Sequence, residues 1–227
     1  EGIAVLLTTE QGKPLTEART EVLSCAAQFD YFAEEAKRSY GRVLVRPTGQ
    51  RAIVLKQPIG PVAAFSPWNF PVNLMCKKMA AALAAGCSII AKPPEETPAS
   101  TSGIMQCVID GGVPGNVAQL IYGVPDMVSR HLIASPIIRK VSFTGSTTTG
   151  MKVMASGSNT LKRMTLELGE DLGVAQGATD ESDVATIIAQ RTITVQADKF
   201  GDLRNLAGKL AYHVSAKGHV PPKYPFV

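Results

Sequence analysis

The chain has little of what usually carries metal or redox chemistry: 3 His, 1 Trp and 4 Cys in 227 residues. The cysteines, Cys25, Cys76, Cys87 and Cys107, form no C-x-x-C pair, and no histidine stands at metal-ligand spacing from them. Zinc-finger and thioredoxin-like arrangements are thereby excluded, and no metal site is expected. Each cysteine lies in an apolar stretch, so four reduced, buried thiols in a cytoplasmic protein are expected. No signal peptide and no apolar run of membrane-spanning length is present, so no membrane partner is expected. The first residue is Glu1, so the natural N-terminus is expected to lie upstream. Charge of one sign does not dominate either: 23 Lys and Arg stand against 19 Asp and Glu, for a net charge of +4. The basic residues are scattered, apart from short pairs such as Lys77–Lys78 and Lys162–Arg163, with no basic stripe interleaved with aromatics. Nucleic acid is not expected as a partner.

What is present has a clear rhythm. Residues 1–41 read as helices: "EARTEVLSCAAQFDYFAEEAKRSYG" carries Val22, Leu23, Ala26, Phe29, Phe32, Ala33 and Ala36 at helical spacing, and Gly41 closes the run. Residues 42–58 change to period two on either side of the turn "PTGQ", which predicts an exposed β-hairpin. Such a hairpin has unpaired edges and suits an assembly arm. From Pro61, strands at 62–66, 87–92, 118–122, 140–144 and 163–168 alternate with helices at 73–85, 98–111, 125–134 and 147–156. Near-continuous apolar strands separated by single helices predict an α/β domain over 59–199. Its sheet is a Rossmann-like parallel one with helices on both faces, and residues 200–227 remain an unassigned tail. Ligands of such sheets bind beyond the carboxyl ends of the strands.

Each strand end carries a candidate. In "SPWNFP", Trp68 and Asn69 are bracketed by prolines. Asn69 can donate to a developing oxyanion, or form an Asx turn that caps the next helix. In "AKPPEETP", Lys92 and Glu95 suit a ribose, or a solvated loop with Thr97 as helix N-cap. In "FTGSTTTG", Gly145 allows a sharp turn. Ser146 then opens a helix whose N-terminus favours an anion such as a pyrophosphate, or is a plain N-cap. In "LKRMTLELG", Glu167 can be a general base, or a surface acid at a strand end.

Order and spacing together say more than any one motif. "FSPWNFP", "AGCSIIAKPPEETP", "GGVPGNVAQLIYG", "VSFTGSTTTG" and "LKRMTLELG", in that order, resemble the aldehyde dehydrogenase superfamily from about Glu1 to Gly169. "LLTTEQGKPLTEARTEV" and "FAEEAKRSYGR" resemble its succinate-semialdehyde dehydrogenase branch. The resemblance implies that Asn69 is the oxyanion donor and Glu167 the general base. It implies that Trp68, Lys92, Pro93, Glu95, Gly145, Ser146 and Leu168 line the cofactor site. It also implies a small aldehyde as substrate, and a homo-oligomer built through the hairpin when the protein is full length. Glu95 beside the ribose would repel a 2′-phosphate, which favours NAD over NADP.

The same family chemistry needs a cysteine nucleophile, and no cysteine follows Glu167. Glu170 stands where a glycine normally follows "ELG". "DESDVATII" still echoes the family. Beyond about Lys199 only "KFGDLRNLAGKLA" does, and it places Ala211 at the nucleophile's position. The expectation is a partial or disrupted aldehyde dehydrogenase, by itself inactive. The alternative is a non-catalytic nucleotide-binding or assembly protein on the same domain.

Overall fold

The structure is a computed structural model that describes residues 1–47, 50, 52–169, 194–196 and 213–215. Glu170, the "DESDVATII" segment and Ala211 lie outside the described residues.

Helices α1 (Gly2–Gln11) and α2 (Leu15–Ala36) are separated by Gly12, whose left-handed φ of 84° ends the first, and by Pro14, which leads into the second. The buried stripe of α2 is Ala18, Glu21, Cys25, Gln28 and Phe32. It differs from the expected one: Leu23, Ala26, Ala33 and Ala36 are exposed, and two polar side chains take inward positions. The helix also ends at Ala36 rather than running to Gly41.

Strands β1 (Arg42–Leu44) and β2 (Ala52–Val54) pair antiparallel as the expected hairpin. It is open to solvent, with Val43, Val45, Ile53 and Leu55 all exposed.

The main sheet contains β3 (Val62–Phe65), β4 (Ile89–Lys92), β5 (Ala118–Leu120), β6 (Lys140–Ser146) and β7 (Arg163–Gly169) in the order β5-β4-β3-β6-β7. Every pairing is parallel. The helices are α3 (Pro71–Ala84), α4 (Pro98–Asp110), α5 (Pro125–Ala134) and α6 (Thr147–Ser158). Three of them begin with proline, whose missing N–H costs nothing in a first turn. Val62, Ala64, Ile89 and Ala91 face Met75, Met79 and Ile104 on one side. Ala63, Val141, Phe143 and Leu166 face Val128, Leu132 and Val153 on the other. Strand order reverses between β3 and β6, so the crevice of this doubly wound sheet opens beyond their carboxyl ends. Two three-residue strands, β8 (Thr194–Gln196) and β9 (His213–Ser215), form a separate parallel pair.

The cysteines depart from expectation. Cys87 is buried and free, but Cys107 is exposed, and Cys25 of α2 is joined to Cys76 of α3 in a disulfide with Cα atoms 5.6 Å apart. The two helices pack with these side chains facing each other in the core. A bridge across 51 residues restricts the unfolded chain by about 4 kcal/mol on chain-entropy grounds. Alkylation of the unfolded, unreduced protein should therefore label Cys87 and Cys107 alone, and reduction should add Cys25 and Cys76. Four labelled cysteines without reductant, read by mass spectrometry, would count against the bridge.

Candidate active site at the carboxyl edge of the sheet

Parallel register delivers the candidates to one edge. Phe65 pairs with Lys92 on one side and with Phe143 on the other, and Thr144 lies opposite Glu167.

Asn69 sits in the loop between β3 and α3 and is half-buried, beside exposed Trp68. It does not cap α3. The N-cap is Phe70 with no side-chain cap bond, and Asn69 Oδ1 accepts only from the N–H of Phe70 at 3.1 Å. The acceptor side of its amide is thus occupied, and Nδ2 has no partner among the described residues.

The capping is done from elsewhere. Buried Glu21 accepts from the N–H groups of Val72 and Asn73 through Oε1, at 3.0 Å each, and forms an ion pair with buried Lys13 through Oε2. Lys13 Nζ also donates to the carbonyl of Asn69 at 3.0 Å and lies 4.4 Å from the centre of the Phe70 ring. Gln11 Nε2 reaches the same carbonyl at 3.3 Å. At α4 the N-cap residue is Thr97, yet its side chain makes no cap bond. Glu10 of α1 accepts instead from the N–H groups of Ala99 and Ser100 at 2.6 and 2.8 Å. Neither carboxylate nor Lys13 was picked out from the sequence, because a charged residue on a helix is ordinarily read as surface.

At the end of β4, buried Lys92 forms an ion pair with Glu95, which is exposed, and donates to the carbonyl of buried Pro93 at 3.2 Å. The loop thus brings Lys92, Pro93 and Glu95 together as expected. Ser66 Oγ, at the end of β3, is buried without a partner among the described residues.

Gly145 does not make a sharp turn. It continues β6 to Ser146 and is absent from the glycines with positive φ. Glycine is needed there for space, since a Cβ would fall 2.5 Å from the ring of Phe143. Ser146 is the N-cap of α6, accepting from the N–H of Thr149 at 3.3 Å, and no carboxylate lies in that helix's first turn. The side chain of Leu168 packs in the core, against Gly150 of α6. It is turned away from the crevice, so only its backbone could serve a cofactor.

Glu167, half-buried on β7, accepts from Thr144 Oγ1 at 2.9 Å. Thr144 in turn lies 2.7 Å from Lys78 Nζ, which also reaches Ser142 at 3.3 Å. Lys78 is buried in α3, as is its neighbour Lys77. Burial pushes its ammonium down from the ordinary 10.5 to about 8, against the pull of Glu167 and with help from Lys77. Lys140, beneath it on β6, is lowered to about 8 by burial and by Lys78. A carboxylate linked through one hydroxyl to a buried lysine of lowered pKa is an arrangement that could pass protons on.

None of the four cysteines reaches this edge. Cys87 precedes β4 at the opposite edge, Cys107 lies near the end of α4, and Cys25 and Cys76 bridge α2 to α3. Among the described residues no helix is long and apolar enough to cross a membrane, and no group of acidic, His and Cys side chains could hold a metal.

A doubly wound parallel sheet with an amide, a carboxylate and a helix N-terminus along one crevice is an architecture used by nucleotide-binding domains. The model of the aldehyde dehydrogenase family matches residues 1–195, and the chain belongs to that family. It is 53% identical over 170 residues to 4-(hydroxymethyl)benzenesulfonate dehydrogenase TsaD1 of Comamonas testosteroni, covering 74% of this chain and 36% of that protein. It is 43% identical over 171 residues to the mitochondrial succinate-semialdehyde dehydrogenase of Oryza sativa subsp. japonica, covering 74% and 32%. The crystal structure of succinate-semialdehyde dehydrogenase from Burkholderia pseudomallei superposes with a TM-score of 0.73 at 38% identity, over 92% of this chain and 46% of that one. The chain thus spans about a third of the length of these curated relatives.

Between pH 8 and 10 the unfolded chain holds a proton on Lys78 that the folded chain has begun to release. The destabilisation is full below pH 8 and fades as pH rises toward 10.5, so this group makes folding more favourable with rising pH. The whole gap is worth ~3 kcal/mol. Lys78→Met should flatten the rise in urea midpoint between pH 8 and 10, and an unchanged slope would remove Lys78 as its source.

Proposed function

We propose that this chain is the cofactor-binding part of an aldehyde dehydrogenase which, as a whole protein, oxidises an aldehyde to the carboxylic acid with NAD in preference to NADP. One observation carries the reading. Four helices start at the carboxyl edge of the sheet, and three of them have a carboxylate there: Glu21 at α3, Glu10 at α4 and Asp126 in the first turn of α5. Among the described residues, only α6 begins without one. At α3 and α4 the carboxylates occupy the N–H groups that an anion would need, whereas Asp126 is paired with Arg130; α6 leaves its N-terminus to attract a pyrophosphate, where Gly145 and Ser146 stand. Glu95 with Lys92 then suits the adenosine ribose, and Trp68, Pro93 and the backbone at Leu168 complete the lining.

When bound, the nicotinamide supplies the hydride acceptor. Asn69 would donate through Nδ2 to the developing oxyanion. Glu167, oriented by Thr144, would take a proton from the attacking water, with Lys78 as its buried neighbour. This sequence supplies no thiol at that edge, so the chain by itself is expected not to turn over aldehyde. The same lack favours, as a second reading, a non-catalytic nucleotide-binding protein on this domain.

Succinate semialdehyde is the substrate suggested by several relatives, although the 53% identical one is named for 4-(hydroxymethyl)benzenesulfonate. The exposed apolar hairpin suits the arm of a homo-oligomer, and a cytoplasmic location is proposed, although the Oryza sativa relative is named as mitochondrial.

Titration of the chain with NAD(H) and NADP(H) tests the cofactor assignment. Ser146→Asp keeps a good N-cap but adds the charge that the other three helices carry. It should weaken NAD(H) binding by about tenfold or more, with helix content unchanged by circular dichroism. Glu95→Ala should narrow the preference for NAD. Equal binding of both cofactors, indifferent to either substitution, would sink the assignment.

A further inference from the structure

The α1–α2 turn reaches across the molecule to the loop that carries Asn69. We infer that Lys13, with Glu21 and Gln11, positions the Asn69 loop, and so sets where the oxyanion donor points. The inference rests on the reading of Asn69 as that donor.

The contacts hold the loop at both ends. At its start, the Asn69 carbonyl receives two side-chain donors, Lys13 Nζ at 3.0 Å and Gln11 Nε2 at 3.3 Å. Gln11 is itself fixed, since its Oε1 accepts from the N–H of Lys13 at 3.2 Å. At its end, Glu21 holds the N–H groups of Val72 and Asn73. The Lys13–Glu21 ion pair, with side chains 7% and 2% exposed, ties the two grips together. Between them Phe70 lies under the Lys13 ammonium and gives its N–H to Asn69 Oδ1.

The consequence is geometric. A carbonyl held by two donors fixes the peptide plane of Asn69, and the bond to Phe70 N–H fixes its amide plane. The loop needs neither Lys13 nor Glu21 to be charged in order to connect β3 to α3. Two buried charges carry a desolvation penalty that an apolar pair would avoid. What the charged pair adds is a single position for Asn69. None of these three residues touches the reacting atoms, so their role is positioning.

The chain's one tryptophan, Trp68, precedes Asn69 and is 42% exposed, so its fluorescence reports this loop without cofactor or turnover. In Lys13→Met/Glu21→Gln, which leaves no orphan charge, acrylamide quenching of Trp68 should rise by about twofold, as for a loosened loop. Amide exchange at Asn69 and Phe70 should accelerate while far-ultraviolet circular dichroism stays unchanged. Lys13→Arg should keep quenching near the parent value, because the guanidinium can still reach both the carboxylate and the carbonyl. Gln11→Ala, which spares the ion pair and its fold contribution, should give a smaller rise in the same direction. A lower melting temperature with Trp68 quenching and loop exchange unchanged in both the double variant and Gln11→Ala would show the pair to be only a staple between helices, and would overturn the inference. Failure of NAD binding in the same preparations would count against the cofactor reading and leave this result standing.

Discussion

Five strands that run the same way must all stop at the same edge, and the chemistry of this domain follows from that constraint. The strand ends Phe65, Lys92, Leu120, Ser146 and Gly169 are brought together by the ladder itself. Register does the rest. Thr144 is opposite Glu167, so the hydroxyl that orients the carboxylate is supplied by the neighbouring strand and needs no special loop. A slip of one residue would turn Glu167 into the core and Leu168 toward the crevice. The apolar residues Val141, Phe143, Leu166 and Leu168 on the other face, packed against α5 and α6, forbid that slip.

One face of β6 and β7 is polar where the rest of the sheet is apolar. Lys140, Ser142 and Thr144 alternate along β6, with Thr165 and Glu167 beside them, and Lys78 enters this column from α3. Such groups are costly to bury unless each has a partner. Here Lys140 meets Thr165 at 2.6 Å and Lys78 meets Ser142 and Thr144. Hydroxyls satisfy the lysines as hydrogen-bond donors but not as charges, which is why both titrate near pH 8 rather than 10.5. Two buried lysines and one carboxylate at a strand end make a poor stabilising device.

Much of this was legible in the sequence. The strand–helix rhythm comes from apolar periodicity, and the observed strands fall within one or two residues of those expected. Pro71, Pro98 and Pro125 mark helix starts by themselves. Asn69, Lys92, Glu95, Ser146 and Glu167 were singled out because parallel topology says where strands end, and the structure does place them at that edge. The misses share a physical cause. Glu21, Gln28, Lys13 and Lys78 are polar residues that face inward, and a pattern built on hydrophobicity assigns such residues to the surface. Cys107 was misplaced by the converse error, since an apolar neighbourhood in sequence need not be buried. The pairing of Cys25 with Cys76 depends on how α2 crosses α3, which local periodicity does not encode. Gly145 was singled out for a turn that it does not make. Its constraint is the Phe143 ring beside it, a tertiary contact, and not its own φ.

The arrangement of carboxylates explains more than stability. A helix N-terminus in a parallel α/β domain attracts anions whether or not function wants them there. With four such ends at one edge, a dinucleotide would have competing places for its phosphates. Glu21 and Glu10 remove two by occupying the N–H groups directly, each from a helix that precedes the sheet in sequence. Asp126 lies in the first turn of α5 but is paired with Arg130 and makes no cap bond there. At α6 the cap is a neutral serine. A neutral cap satisfies one N–H and leaves the field of the helix outward, whereas a carboxylate cancels it. On the proposed cofactor reading, Ser146 at α6 against Glu21 and Glu10 at α3 and α4 would be a discrimination built from local capping chemistry. It also accounts for why helices packed on the far side of the core extend charged side chains to the edge where the strands end.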